Sequence, residues 1–247
     1  MVNNIFAQRE VNVYSLSIEH GLSQSVVNDL LVDSKGFLWV GTQNGLNRFD
    51  GYDFKVFFND PHDKYTISSD FVTCLAEDAI DNLWIGTRSG LNKYEHRTHR
   101  FIHYGLPSNK VEFPQFNVRS LLVDGENSVW VLLPEYLARI NPVDDDIKIF
   151  ALGEVLSNDR YCPVKGLYES SSSNIWFIAG SKLVMFDKVF EKFEVFDYQK
   201  YLNHACLTGV FESENVMFVT TDNAVYEVLS PYEIEKVFTK GRDGEAF

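Results

Sequence analysis

The sequence predicts an all-β fold assembled from one repeated unit of four short strands, and three observations predict it. Aromatic residues make up 15% of the 247 residues, with 20 Phe, 12 Tyr and 4 Trp, and such side chains favour pleated, half-buried surfaces over helix interiors. The tryptophans stand at Trp39, Trp84, Trp130 and Trp176, separated by 45, 46 and 46 residues. The text around them recurs as DSKGFLWVGTQNGLNRFDGYDFKVF, DAIDNLWIGTRSGLNKYEHRTHRFIHY, DGENSVWVLLPEYLARINPVDDDIKIF and ESSSSNIWFIAGSKLVMFDKVFEKFEVF. A fifth copy, ESENVMFVTTDNAVYEVLSPYEIEKVF, carries Phe218 at the tryptophan position. An acidic residue stands six or seven places ahead of that position in every copy: Asp33, Asp78, Asp124, Glu169 and Glu212.

Each copy breaks into four apolar runs with turn residues between them, the pattern of an antiparallel meander. In the first copy the runs are Val26 to Val32, Phe37 to Thr42, Leu46 to Phe49 and Phe54 to Phe58. Asp33-Ser34-Lys35-Gly36, Asn44-Gly45 and Asp50-Gly51 supply the hairpin turns, because Asp and Asn side chains accept from turn amides and Gly takes positive φ without cost. Four-stranded units of about 45 residues, repeated, spell a β-propeller. The repeats cover approximately 26–58, 72–104, 118–150, 164–196 and 207–238, in one partial propeller over 1–247. Ahead of them, residues 11–18 (VNVYSLSI) read as an orphan outer strand.

Seven such repeats need about 315 residues. The expectation is therefore about five blades plus one N-terminal strand, an incomplete part of a seven-bladed propeller, or else a tightened five-bladed ring. An open arc would expose blade faces prone to associate. Trp39, Trp84, Trp130 and Trp176, one per blade on the second strand, are expected to fill the gaps between adjacent blades rather than to form a stacking platform for a sugar or base.

The net charge of −13, from 22 Lys+Arg and 35 Asp+Glu, argues against a phosphate-neutralising surface, so nucleic acid is not an expected partner. No apolar run approaches the ~18 residues of a membrane span, and the N-terminus lacks a signal-peptide pattern. Cys74, Cys162 and Cys206 match no zinc spacing and no disulfide framework; they read as buried free thiols. His96, His99 and His103 are the best metal candidates, but no carboxylate or cysteine accompanies them at ligand spacing. Asp144-Asp145-Asp146 reads as a solvated hairpin tip rather than a calcium loop. No nucleophile elbow, zinc helix or phosphate loop occurs, so no catalytic residue, metal or cofactor is expected.

The segments LWVGTQNGLNRFDG (Leu38 to Gly51) and LWIGTRSGLNKYE (Leu83 to Glu95), the first preceded by GLSQSVVNDLLVD, resemble the two-component regulator propeller repeats of Bacteroides-type hybrid two-component sensors. In the third and fourth copies GT becomes Leu132-Leu133 and Ile178-Ala179. The resemblance implies a periplasmic sensor that recognises an oligosaccharide and regulates polysaccharide utilisation genes, with a second propeller and a histidine kinase downstream and a possible homodimer. No kinase segment lies in this sequence. The alternatives are a propeller scaffold for protein–protein or dimer contacts and, further off, a propeller lyase or hydrolase.

A ligand would meet the face carrying the long connections from each outer strand to the next inner strand and the turns between second and third strands. Arg88, Arg119 and Lys110 are the expected partners of acidic groups and Tyr65, Tyr136 and Tyr161 of sugar rings, with Asn44, on the first such turn, as a further candidate. Each has a plainer reading as surface polarity or blade packing.

Overall fold

The computed structural model describes residues 15–104, 117–153, 155, 164–202, 205–230 and 233–239. Five four-stranded antiparallel sheets follow one another along the chain. The first holds β1 (Val27–Val32), β2 (Leu38–Thr42), β3 (Gly45–Phe49) and β4 (Phe54–Phe57); the second β5 (Val72–Glu77), β6 (Leu83–Thr87), β7 (Gly90–Glu95) and β8 (Arg100–Tyr104). The third holds β9 (Ser120–Val123), β10 (Val129–Leu132), β11 (Tyr136–Ile140) and β12 (Ile147–Ala151). The fourth holds β13 (Val164–Glu169), β14 (Ile175–Ala179), β15 (Lys182–Asp187) and β16 (Lys192–Asp197). A single helical turn, α1 (Gln199–Leu202), leads to the fifth: β17 (Gly209–Ser213), β18 (Val216–Thr220), β19 (Ala224–Ser230) and β20 (Glu233–Thr239). These are propeller blades. Most of the expected N-terminal strand lies outside the described residues; Ser17 caps a 3-10 turn over Ile18–His20.

The inner strands touch in succession, β1 to β5, β5 to β9, β9 to β13 and β13 to β17, and among the described residues no comparable packing returns from β17 to β1. Over the described residues the blades form an open arc. Trp39, Trp84 and Trp130 are fully buried, each in the cluster between its own blade and the next.

The acid six places ahead serves each of these indoles. Asp33, Asp78 and Asp124 accept from Trp39, Trp84 and Trp130 Nε1 at 2.7, 2.8 and 2.8 Å. Their other oxygens take turn amides: Lys35 and Phe37 donate to Asp33, Ile80 and Asn82 to Asp78, Glu126 and Ser128 to Asp124. One carboxylate thereby closes the first hairpin and fixes the ring that fills the blade gap. In the fourth blade the equivalent position is Ser170, not Glu169, and the buried Trp176 Nε1 has no partner among the described residues. Ser170→Asp restores the acceptor and is expected to raise stability by about 0.5–1.5 kcal/mol, a melting shift of a few degrees readable by calorimetry; an unchanged or lower melting temperature would show that the carboxylate does not anchor the ring.

Glu169 and Glu212 do different work from Asp33. Glu77 and Glu169 end the inner strands of blades two and four, opposite Leu83 and Ile175, and Glu212 stands one residue before the end of the fifth blade's, opposite Met217. Each reaches back to the preceding blade's first turn, where Ser34, Gly125 and Ser171 donate their backbone N–H at 2.7, 2.7 and 2.8 Å. At the remaining junction Asn127 Oδ1 accepts from Ala79 N at 2.7 Å. Every blade junction therefore carries one side-chain latch on the same turn amide. Lys188 adds a cation between Asp124 (3.1 Å) and Glu169 (2.9 Å). Burial works against its charge, but both carboxylates hold its pKa above the usual lysine value.

Asp145 is more than a solvated tip: it pairs with Lys93, 3.6 Å away, and accepts from the Tyr104 hydroxyl. Burial and that carboxylate push the Tyr104 phenol well above its ordinary range. Cys74 is the expected buried free thiol, whereas Cys206 is disulfide-bonded, which corrects the free-thiol expectation for it.

Candidate functional site

The polar residues of the LWxGTxxGLN text are used up inside the fold. Asn47 and Asn92, on the third strands, accept from Ser23 N and Ser68 N at 2.9 Å and donate back to the same serines' hydroxyls. Those hydroxyls in turn meet Thr42 and Thr87 at 3.2 and 3.0 Å. This Ser–Thr–Asn knot ties the segment entering each of the first two blades onto that blade. Leu132-Leu133 and Ile178-Ala179 cannot make it, so the motif marks a local anchoring device of the first two blades.

The expected ligand residues that fall among the described ones stand on several different elements. Arg88 is exposed on the turn between β6 and β7, its guanidinium 3.6 Å from the Phe71 ring centre, with its backbone N–H donating to Phe71 O. Asn44 is exposed on the matching turn of the first blade, where its backbone N–H donates to Thr42 Oγ1. Arg119 is exposed just before β9. Tyr136 begins β11 and packs half-buried against the cluster around Trp84. Lys110 and Tyr161 lie outside the described residues.

Tyr65 lines a cavity. An open cleft of about 480 Å³ lies between the outer strands of the first two blades, bounded by Lys55, Phe57, Tyr65, Thr66, His99 and Arg100 among others. The connection from β4 to β5 is held there by its own polar groups. Asp60 Oδ1 accepts from His62 N and Asp63 Oδ1 from Tyr65 N, each at 2.9 Å. Asn59 N donates to Asp70 Oδ1 and Asn59 Nδ2 to Ile67 O, both at 2.6 Å. Thr66 O meets His103 Nε2 at 2.8 Å, and Phe101 N donates to Tyr65 O at 2.9 Å. The result is a fixed wall rather than a swinging loop.

Against that wall the Arg100 guanidinium lies 4.3 Å from the Tyr65 ring centre, and the Lys55 ammonium 5.0 Å from that of Phe57. His99 Nδ1 is 2.8 Å from Tyr94 Oη. Lys55, Arg100 and His99 face a single carboxylate, Asp63, in this lining, on a chain whose net charge is −13. Such a cleft can take an anion and stack an apolar ring face beside it. The sequence reading missed Lys55 and Arg100, because they are 45 residues apart and meet only when adjacent blades bring their outer strands together. A basic residue on each of two consecutive outer strands was the signal available.

The three histidines have separate partners. His96 approaches Asp33, 3.9 Å away, and packs on Trp39 and Tyr94, where burial lowers its pKa. His99 and His103 serve Tyr94 and Thr66.

The sequence pattern of the family described as two component regulator propeller matches residues 21–44 and 66–89. Two stretches of the chain thus match two-component regulator propeller repeats. Both matched stretches contain the serine and threonine of the knot, the Asp–Trp pair and the GT step, and they end before Asn47 and Asn92 on the third strands. A 48-residue stretch is 56% identical to histidine kinase P4 of Formosa agariphila, covering 19% of this chain and 4% of that protein. Among solved structures, the extracellular domain of a hybrid two-component system of B. thetaiotaomicron superposes with a TM-score of 0.59 at 19% identity, over 94% of this chain and 37% of that one. Virginiamycin B lyase of Staphylococcus aureus superposes with a TM-score of 0.66 at 15% identity, over 86% of this chain and 70% of the lyase. At these identities the likeness is one of fold, shared by a sensor and an enzyme. Among the described residues no helix is long and apolar enough to cross a membrane.

Proposed function

We propose that this chain is an extracytoplasmic ligand-sensing part of a two-component signalling protein, and that it recognises an oligosaccharide bearing acidic groups at the cleft between β4 and β8. The Tyr65–Arg100 stack beside Lys55 carries the reading. An aromatic ring face suits a sugar ring, and a guanidinium and an ammonium suit a carboxylate or sulfate. The two-component propeller repeats and the 48-residue identity with a histidine kinase support the signalling role, with a kinase as the downstream partner and regulation of polysaccharide utilisation genes as the output. The disulfide at Cys206 supports a periplasmic location, since such bonds persist in oxidising compartments.

Calorimetric titration against acidic and neutral oligosaccharides tests this directly. Binding of an acidic oligosaccharide is expected, weakened at least tenfold by Arg100→Ala and by Tyr65→Ala, and weakening with added salt. Arg88→Ala is expected to leave it unchanged. Binding that depends on Arg88 and not on Arg100 would move the site to the face of the turns, and shortened glycan products would replace a sensor with an enzyme.

A further inference from the structure

The same place at a blade junction is filled by a lysine in one case and by a histidine in another. Strand pairing sets Trp84 opposite Lys93 and Trp176 opposite Met185; three residues further on stand His96 in the second blade and Lys188 in the fourth. Each points at the carboxylate that holds the preceding blade's tryptophan. Lys188 Nζ lies 3.1 Å from Asp124 Oδ2, and His96 Nε2 lies 3.9 Å from Asp33 Oδ2. Lys188 also donates to the latch residue Glu169 at 2.9 Å. His96 Nε2 is buried and has no hydrogen-bond partner among the described residues.

The first turn of the preceding blade accounts for the difference. Gly125 gives Glu169 its backbone N–H on Oε2 and has no side chain to occupy Oε1, which accepts from Lys188. Ser34 stands where Gly125 does, one residue after the turn aspartate, and takes both oxygens of Glu77: its N–H on Oε2 at 2.7 Å and its hydroxyl on Oε1 at 2.8 Å. Asp33 accepts from the N–H groups of Lys35 and Phe37 and from the Trp39 indole. Asp81 accepts from Lys35 Nζ at 3.0 Å and from the Ser34 hydroxyl at 3.1 Å. Tyr94 packs on the imidazole with ring centres 5.2 Å apart, and Glu95 and Arg97 flank it on its own hairpin. Burial, Lys35 and Arg48 oppose a charge on His96 and outweigh Asp33 and Glu77, which holds its pKa below the ordinary histidine value. An open cavity of about 500 Å³, bounded by Lys35, Asp81, His96 and Arg97 among others, gives protons access.

We infer that the junction between the first two blades is an acid-sensitive joint, closed around a neutral His96 and loosened when that imidazole takes up a proton. The added charge meets carboxylates already committed to Ser34, Lys35, Phe37 and Trp39, whereas Lys188 meets Glu169 Oε1. In the unfolded chain His96 titrates at the ordinary value of 6.5. The folded chain binds that proton less readily, so the stability owed to neutral His96 is complete above that pH and is lost as pH falls from there through the folded value. The junction between the third and fourth blades, built on a lysine whose pKa is raised, keeps its cation over the same range.

Two measurements on the whole chain test the inference. An imidazole NMR titration is expected to place the His96 midpoint below 6.5. Ser34→Gly, which opens Glu77 Oε1 as Gly125 leaves that of Glu169, is expected to move the midpoint up. Hydrogen–deuterium exchange, corrected for intrinsic rates, is expected to quicken several-fold in residues 34–37 and 94–99 between about pH 7.5 and about pH 5, and to hold steady in residues 125–128 and 186–190 beside Lys188. His96→Gln cannot titrate, and is expected to abolish the acid response while leaving exchange at the higher pH near that of the wild-type protein. A midpoint at or above 6.5 overturns the inference, as does one indifferent to Ser34→Gly. So does an acid response that survives in His96→Gln, or one that is equal at the Lys188 junction.

Discussion

Replacing Trp130 with alanine is expected to cost about 3–5 kcal/mol, a drop of roughly 6–20 °C in melting temperature for a chain of this length. The ring is fully buried between the third and fourth blades. Its neighbours are Phe186, with ring centres 5.5 Å apart, and Phe150 at 6.4 Å, with the Arg139 guanidinium 5.9 Å from the ring centre. Truncation therefore opens a cavity with few ways to collapse, because the sheets on both sides are fixed by their own ladders. It also removes the indole donor from Asp124, one of the contacts that, with Ser128 and Lys188, outweighs burial and keeps that carboxyl below its usual range. Trp176→Ala is the control: that ring is half-buried and its Nε1 has no partner among the described residues, so the loss is expected to be smaller. Denaturant unfolding followed by far-UV circular dichroism compares the two. Equal costs would show that the Asp–Trp pair adds nothing to blade packing.

Gly86→Ala is the second large effect, expected at about 1–3 kcal/mol despite adding a single methyl group. A Cβ at Gly86 would lie 2.5 Å from Cys74 Sγ and 2.7 Å from Val118 Cγ1. Cys74 is on the neighbouring inner strand and Val118 precedes the first strand of the next blade, so neither can swing far without moving backbone. The glycine of the GT step is thus a spacing device that lets the second strand of one blade approach the start of the next. Val118→Ala in the same chain removes one of the two clashing groups and is expected to recover part of the loss, which a double-mutant cycle measures. Additive costs would place the strain elsewhere.

The strands were legible because apolar runs of strand length between turn residues, marked by one tryptophan per unit, survive even where GT is lost. The Asp33, Asp78 and Asp124 spacing was legible too, since the acid and the indole it serves lie on one hairpin. Glu169 was not: it stands one residue from the equivalent position, and in a strand one residue reverses the face. It therefore grips Gly125 of the preceding blade while Ser170 occupies the turn. The latches joining Glu77 to Ser34 and Glu212 to Ser171 escape linear reading for another reason, because they span 43 and 41 residues and exist only once blades stack.

The candidate site shows the same divide. Tyr65 was visible as an aromatic on a long connection, but Lys55 and Arg100 became its neighbours only through the adjacency of β4 and β8. Tyr136, equally visible, is drawn into the packing around Trp84 because strand alternation puts it on the same face of β11 as Ala138 and Ile140, both buried in that cluster. A loop position gives a side chain access to solvent. Which other loop residues share that access is decided by blade geometry.

Hydrogen–deuterium exchange with and without an acidic oligosaccharide tests the central claim most directly. The account predicts slowed exchange in β4, in residues 59–66 and in β8, with no change at the turns 43–44 and 88–89. Protection at those turns instead, or none anywhere in the first two blades while the oligosaccharide is bound, would contradict it.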